Sequence, residues 1–225
     1  MPKTSPQVKI QATKGYGANV VLCEPTLESR KATTDDLISK HGYTLVHPYD
    51  NERIITGAGT AAFELIEEVG CLDAILAPIG GGGLMSGTSV ATKGLCPEAR
   101  VIACEPKGAD DAYRSFSDKT LYPSIDPKTI ADGLLTSLSE LTFSVVIQYV
   151  DEIITVSDDE IIQAMRLLWE RMKMIVEPSG AVPLAGLMQI RKQFKGRRVG
   201  VILSGGNVDL EAFFETLKHK ADSIR

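Results

Sequence analysis

Four consecutive glycines, Gly80-Gly81-Gly82-Gly83, follow an apolar run and precede a helix-like stretch that starts near Leu84. Without a Cβ, glycine reaches φ values that other residues resist, so successive N–H groups can converge on an anion at the positive end of the following helix. A plain turn does not need four residues of such high chain entropy, so the chemistry expected is a phosphate cradle. Glu105 closes the next β-like run about 20 residues on, where the ribose-binding acid of a dinucleotide site would stand. The glycine register opposes that reading: counted from Gly80 the third glycine position is Met85, and from Gly81 it is Ser86. An NAD-binding oxidoreductase stays open as an alternative. A second turn, Ser204-Gly205-Gly206-Asn207, also follows an apolar run, and is either another wall of the same site or an ordinary strand-to-helix turn.

These turns need elements to position them. Ala18–Glu24, Thr44–His47, Leu72–Ile79, Arg100–Glu105, Glu152–Val156 and Arg197–Ser204 read as strands from their β-branched and apolar content. Helical patterns alternate with them. In Asp158–Val176, Ser157 and Glu160 form a capping box, and Ile161, Met165, Leu168, Met172 and Val176 recur at helical spacing. A further helix is expected from near Ser179, with Pro183 in its first turn. Such alternation predicts an α/β fold, a mostly parallel twisted sheet with helices on both faces. In an open sheet of this kind ligands sit beyond the C-terminal strand ends. A hinge is expected around His47–Arg53, between a small first unit (1–48) and the main body (49–225).

Bulk properties narrow the field. A formal charge of −5 and the lack of a basic stripe with interleaved aromatics oppose nucleic-acid binding. Charges or glycines interrupt every hydrophobic stretch short of membrane-spanning length. Met1-Pro2-Lys3-Thr4-Ser5-Pro6 has no apolar core of a signal peptide. Cys23, Cys71, Cys96 and Cys104 show neither zinc spacing nor a Cys-x-x-Cys pair. Buried reduced thiols in a cytoplasmic protein are therefore expected.

Several motifs occur in order: Pro78-Ile79-Gly80-Gly81-Gly82-Gly83-Leu84, Glu105-Pro106 with Ala109-Asp110-Asp111, Ile130-Ala131-Asp132-Gly133, Trp169-Glu170-Arg171-Met172-Lys173, Glu177-Pro178-Ser179, and Ser204-Gly205-Gly206-Asn207-Val208-Asp209-Leu210. Together they resemble the serine racemase and serine/threonine dehydratase family of fold-type II pyridoxal-phosphate enzymes. The resemblance implies that Gly80, Gly81, Gly82, Gly83 and Leu84 grip the cofactor phosphate and that Ser204 meets the pyridine nitrogen. It implies that Gly133 and Glu177 line the pocket, with Thr136 near the substrate. It further implies a magnesium, manganese or calcium site at Glu105, the Ala109 carbonyl and Asp111, ATP as an effector at Tyr16, Lys173 and Asn207, and a homodimer. The substrates implied are serine, threonine or hydroxyaspartate, racemised or stripped of water and ammonia.

The same family carries its Schiff-base lysine in a Ser-Phe-Lys-x-Arg-Gly-Ala type motif and its opposite-face base in a Ser-Ser-Gly-Asn-His motif. Neither motif occurs in this sequence. The fold is accordingly expected to be incomplete at its N-terminus and the chain inactive alone, because the amine both anchors the aldehyde and moves the α-proton. A non-catalytic partner of a full-length homologue is the alternative from a different class.

Overall fold

A four-stranded, wholly parallel sheet organises the segment His47–Gly206: β1 (Ala74–Pro78), β2 (Arg100–Pro106), β3 (Glu152–Val156) and β4 (Val199–Val201), in the order β3-β2-β1-β4. The structure, a computed structural model, describes residues 1–211 and 213–215. The chain divides into two compact units, His47–Gly206 and, separately, Met1–Val46 with Asn207–Arg225. The body expected over 49–225 thus includes residues 212 and 216–225, which lie outside the described residues.

Parallel strands need crossovers. Here they are α4 (Gly83–Leu95) between β1 and β2, α5 (Asp111–Asp118) and α6 (Glu140–Tyr149) between β2 and β3, and α7 (Asp158–Leu167) and α8 (Pro178–Ile190) between β3 and β4. Before β1 comes α3 (Glu52–Val69). Side chains alternate across the sheet. Ala77, Val101, Ala103 and Ile153 pack with Met85 of α4 and Val146 of α6, while Ile75 packs with Ala62 and Ile66 of α3. On the opposite face Cys104 meets Gly186 of α8. Helices cover both faces, which is why every residue of β1 is buried.

Four expectations need correction. Ala18–Glu24 forms only an isolated bridge, Pro2 to Cys23, and Thr44–His47 is not a strand; β propensity makes a strand only where a ladder partner exists. The helix expected over Asp158–Val176 has its Ser157–Glu160 capping box, but α7 ends at Leu167. A π-helical turn, Leu168–Met172, follows, and Lys173 stops it at φ 60°. Because α8 begins at Pro178, Pro183 lies inside the helix and not in its first turn, costing it one intrahelical hydrogen bond. Cys71 and Cys96 form a disulfide, and only Cys23 and Cys104 are buried free thiols. The two partners stand 25 residues apart in sequence, and meet because α3 and α4 run side by side in the same direction.

The other unit holds α1 (Gln7–Gly15) and α2 (Leu27–His41), with Ile10 and Cys23 buried. Thr26 caps α2 by accepting from the Ser29 N–H, and Gly42 ends it at φ 68°.

Candidate cofactor site

Strand order reverses between β1 and β4. The chain steps from β1 to β2 to β3, then returns to lay β4 on the far side of β1. The two strands pair with Leu76 opposite Val201, and Ile202 N donates to Leu76 O at 2.9 Å. Loops leaving such neighbours diverge and open a crevice at their carboxyl ends. The tetraglycine loop leaves β1 at this point, and the Ser204-Gly205 turn leaves β4 beside it.

Packing explains why the loop is glycine. A Cβ on Gly81 would stand 2.5 Å from Cε1 of Tyr49, and one on Gly83 would stand 2.7 Å from the Tyr49 Cβ. On Gly80 it would lie 2.9 Å from the Leu134 backbone, and on Gly82 2.6 Å from Leu138. Gly82 also sits at φ 86° as the N-cap of α4, a conformation that L side chains resist. Tyr49 is held in turn by an edge-on contact with His47 (4.7 Å between centroids), whose Nδ1 accepts from the Asp50 N–H at 2.8 Å. Sequence reasoning missed Tyr49: it precedes the N-cap of α3, Asn51, and nothing local marks it as the roof of a loop thirty residues on.

The other expected cofactor residues gather around the second turn. Gly133 N donates to Ser179 Oγ at 2.9 Å, in the short 3-10 turn Asp132–Leu134 that also touches Gly80. Glu177 N donates to Gly205 O at 3.2 Å, and a Cβ on Gly205 would stand 2.5 Å from Glu177 Oε1. Gly180, in the first turn of α8, backs directly on the Ser204 carbonyl. The loop Gly80–Gly83, Gly133, Glu177 and Ser204 are therefore linked by contacts within one unit. Leu84 is the second residue of α4, and Thr136 is half-buried between the 3-10 turn and α6.

Glu105, the last residue but one of β2, is 1% exposed, and its two carboxyl oxygens accept from Ala112 N (2.9 Å) and Tyr113 N (2.8 Å). It caps α5, whose own N-cap residue Asp110 makes no capping bond. Burial pushes its pKa up to about 9, against those two hydrogen bonds. Asp111, also 1% exposed, is pushed by burial to about 6. The Ser124 hydroxyl and the charge of Arg114 act against that rise. Ala109 is buried in the turn between the two acids. Among the described residues no group of three or more His, Cys, Asp or Glu side chains is arranged to hold a metal ion.

Of the residues expected at a nucleotide effector site, Tyr16 is 84% exposed just after α1, and Asn207 belongs to the same unit. Lys173 belongs to the other unit, with Nζ donating to Glu170 O at 2.6 Å.

Residues 1–205 match the family model for "Pyridoxal-phosphate dependent enzyme". The chain is 49% identical to a beta-hydroxyaspartate dehydratase of Paracoccus denitrificans, over 94% of this chain and 67% of that protein. It is 48% identical to a serine racemase of Dictyostelium discoideum, over 96% of this chain and 68% of that one. The structure of maize serine racemase superposes with a TM-score of 0.89 at 37% identity, covering all of this chain and 70% of that one. The chain belongs to the pyridoxal-phosphate dependent enzymes, in the branch of racemases and ammonia-lyases, and spans about two thirds of the length of these relatives. The nicotinamide reading loses its footing here: Glu105, its ribose-binding acid, is buried and engaged with α5.

Proposed function

We propose that this chain forms the cofactor-holding part of a pyridoxal-phosphate enzyme acting on a small hydroxy amino acid, serine or a 3-hydroxyaspartate, with racemisation and elimination of water and ammonia as its reactions. One observation carries the reading: two glycine turns leave adjacent strands at the reversal of strand order and are tied together through Gly133, Ser179 and Glu177. The names of the relatives supply the substrate class.

The residues present fit the cofactor. The tetraglycine loop packs so closely on Tyr49, Leu134 and Leu138 that no Cβ fits, which leaves backbone amides as its polar groups, and those from Gly81 to Leu84 would hold the phosphate at the N-terminus of α4. Bound there, pyridoxal phosphate supplies an electron sink for the charge left when the α-proton departs. The Ser204 hydroxyl would meet the ring nitrogen; a neutral group does not keep that nitrogen protonated, so it sets a moderate sink. Gly133 and Glu177 would line the ring, and Thr136 the substrate.

A divalent cation beside α5 is the second part of the proposal. Glu105, the Ala109 carbonyl and Asp111 supply hard oxygen ligands of the kind that magnesium, manganese or calcium takes, and such an ion would offset the desolvation of the two buried carboxylates. Its role would be to hold α5 on β2 through Glu105. ATP at Tyr16, Lys173 and Asn207, a homodimer and a cytoplasmic location complete the proposal and rest on the sequence resemblance. No helix among the described residues is long and apolar enough to cross a membrane.

The second reading, a non-catalytic partner of a full-length homologue, is a chain that binds cofactor without turnover. Borohydride reduction after incubation with pyridoxal phosphate, with peptide mapping, separates the two. A single stoichiometric lysine adduct, with pyruvate from L-serine or oxaloacetate from threo-3-hydroxyaspartate, is the result for an active enzyme. Saturable cofactor binding without adduct or product is the result for the second. No saturable binding at all would overturn both.

A further inference from the structure

We propose that Cys71 and Cys96 form a reversible dithiol–disulfide site whose reactants are low-molecular-weight thiols and disulfides, and that its oxidised form clamps α3 to α4 and so steadies the tetraglycine loop. The dithiol chemistry stands by itself; its consequence for cofactor binding rests on the function proposed above.

The two helices touch at three levels. At their N-terminal ends Tyr49, three residues before α3, lies on Gly81 and Gly83. Midway, Gly59 of α3 and Gly87 of α4 bring their backbones together, so that a Cβ on Gly87 would stand 2.9 Å from the Gly59 Cα. At their C-terminal ends the disulfide joins Cys71, just beyond α3, to Cys96, the C-cap of α4, with Cα atoms 5.7 Å apart. Contacts at the first two levels are van der Waals and can slide. The covalent bond fixes the third, and with it the register that keeps Tyr49 on the loop.

The partners differ in access. Cys71 is exposed, whereas Cys96 is 4% exposed. The guanidinium of Arg198 donates to the carbonyls of Val69 and Cys71 and so ties down the backbone of the exposed cysteine. The thiolate is the attacking species, so exchange should quicken as pH rises. In oxidation the Cys71 thiolate attacks one sulfur of a small disulfide RSSR, forms Cys71–S–S–R and releases RS⁻. The Cys96 thiolate then attacks the Cys71 sulfur and expels the second RS⁻. The net change is protein dithiol plus RSSR to protein disulfide plus two RSH, and excess thiol reverses it. Cys104 does not compete: it is fully buried, and burial pushes its thiol far up. Cys23 lies buried in the other unit.

The test equilibrates the wild-type chain in graded mixtures of reduced and oxidised glutathione, followed by acid quench, alkylation and peptide mass spectrometry. The expected result is one linked peptide pair, Cys71–Cys96, that rises and falls reversibly with the ratio. In Cys96→Ser a glutathione adduct should be trapped on Cys71, with none on Cys104. Absence of the linked pair at every ratio would overturn the dithiol site. Amide exchange across 47–56 and 80–88 should be slower in the oxidised protein by about threefold or more, and pyridoxamine 5′-phosphate should bind it more tightly. A linked pair that forms without changing that exchange would overturn the clamp. Slowed exchange with no binding of the phosphate in either state would leave the clamp standing and overturn the cofactor reading instead.

Discussion

Adding one methyl group at Gly81 tests how the tetraglycine loop is built. The Cβ of Gly81→Ala would stand 2.5 Å from Cε1 and 2.6 Å from Cγ of Tyr49, while carbon atoms rest about 3.5–4 Å apart. The ring must therefore retreat by about 1 Å. It is half-buried and leans on His47, which organises the start of α3 through Asp50, so the retreat disturbs both. Overpacking of this kind costs about 1–3 kcal/mol. The backbone of Gly81 is not left-handed, so alanine adds bulk without dihedral strain. Tyr49→Ala alone removes packing and should cost on the order of 2–3 kcal/mol. In the double variant the collision has gone, and its stability should fall near that of Tyr49→Ala. The coupling energy expected is thus about 1–3 kcal/mol in favour of the pair. Urea denaturation followed by Trp169 fluorescence measures all four corners of the cycle. Affinity for pyridoxamine 5′-phosphate should fall about tenfold in Gly81→Ala, worth about 1.4 kcal/mol, and recover in part in the double variant. Costs that add to within about 0.5 kcal/mol would refute the claim that Tyr49 is what keeps residue 81 a glycine.

Other substitutions probe the supports of the site. Gly87→Ala pushes a methyl into the backbone of Ile55 and Gly59, which no rotamer relieves; thermal denaturation should show a loss of about 3 kcal/mol or more. Gly94→Ala, in the same helix with nothing within 4 Å of its Cβ, should instead stabilise by about 0.5–1 kcal/mol. Ser157→Ala removes one half of the capping box of α7 and should cost about 1 kcal/mol in the same assay. Burial lifts Glu105 to about 9 and Asp111 to about 6, above the values of the unfolded chain. Their contribution to stability is therefore complete below the unfolded values and is lost as pH rises through about 6 for Asp111 and about 9 for Glu105. In a chelator the urea midpoint should fall between about pH 5 and 8. Magnesium or calcium, which needs both carboxylates ionised, should shrink or reverse that fall. An unchanged slope with saturating cation would count against the site.

What the sequence discloses follows from how local each signal is. The tetraglycine loop, the Ser157–Glu160 box and strands β1 to β4 are written in contiguous residues, and each was legible. Features made by distant partners were not. Tyr49 is separated from Gly81 by a whole helix, the cysteines of the disulfide by 25 residues, and the Glu105 cap reaches α5 across a turn. A reader of sequence sees Glu105 as an acid at a strand end; only the fold shows each of its oxygens accepting from a backbone amide. Pattern also overreached where pairing decides the outcome, as in Thr44–His47, which has strand composition but is not a strand. In Leu168–Met172 apolar spacing continues past the α-helix into a π-helical turn, because period alone cannot register an i→i+5 bond.

Calorimetric titration with pyridoxamine 5′-phosphate tests the central claim most directly, since that ligand carries the phosphate but needs no lysine. The expected result is saturable binding at one site per chain, lost by tenfold or more (about 1.4 kcal/mol or more) in Gly82→Ala and absent for unphosphorylated pyridoxamine. Equal binding of the two ligands, or full binding by Gly82→Ala with its fold intact by circular dichroism, would contradict a phosphate cradle at Gly80–Gly83.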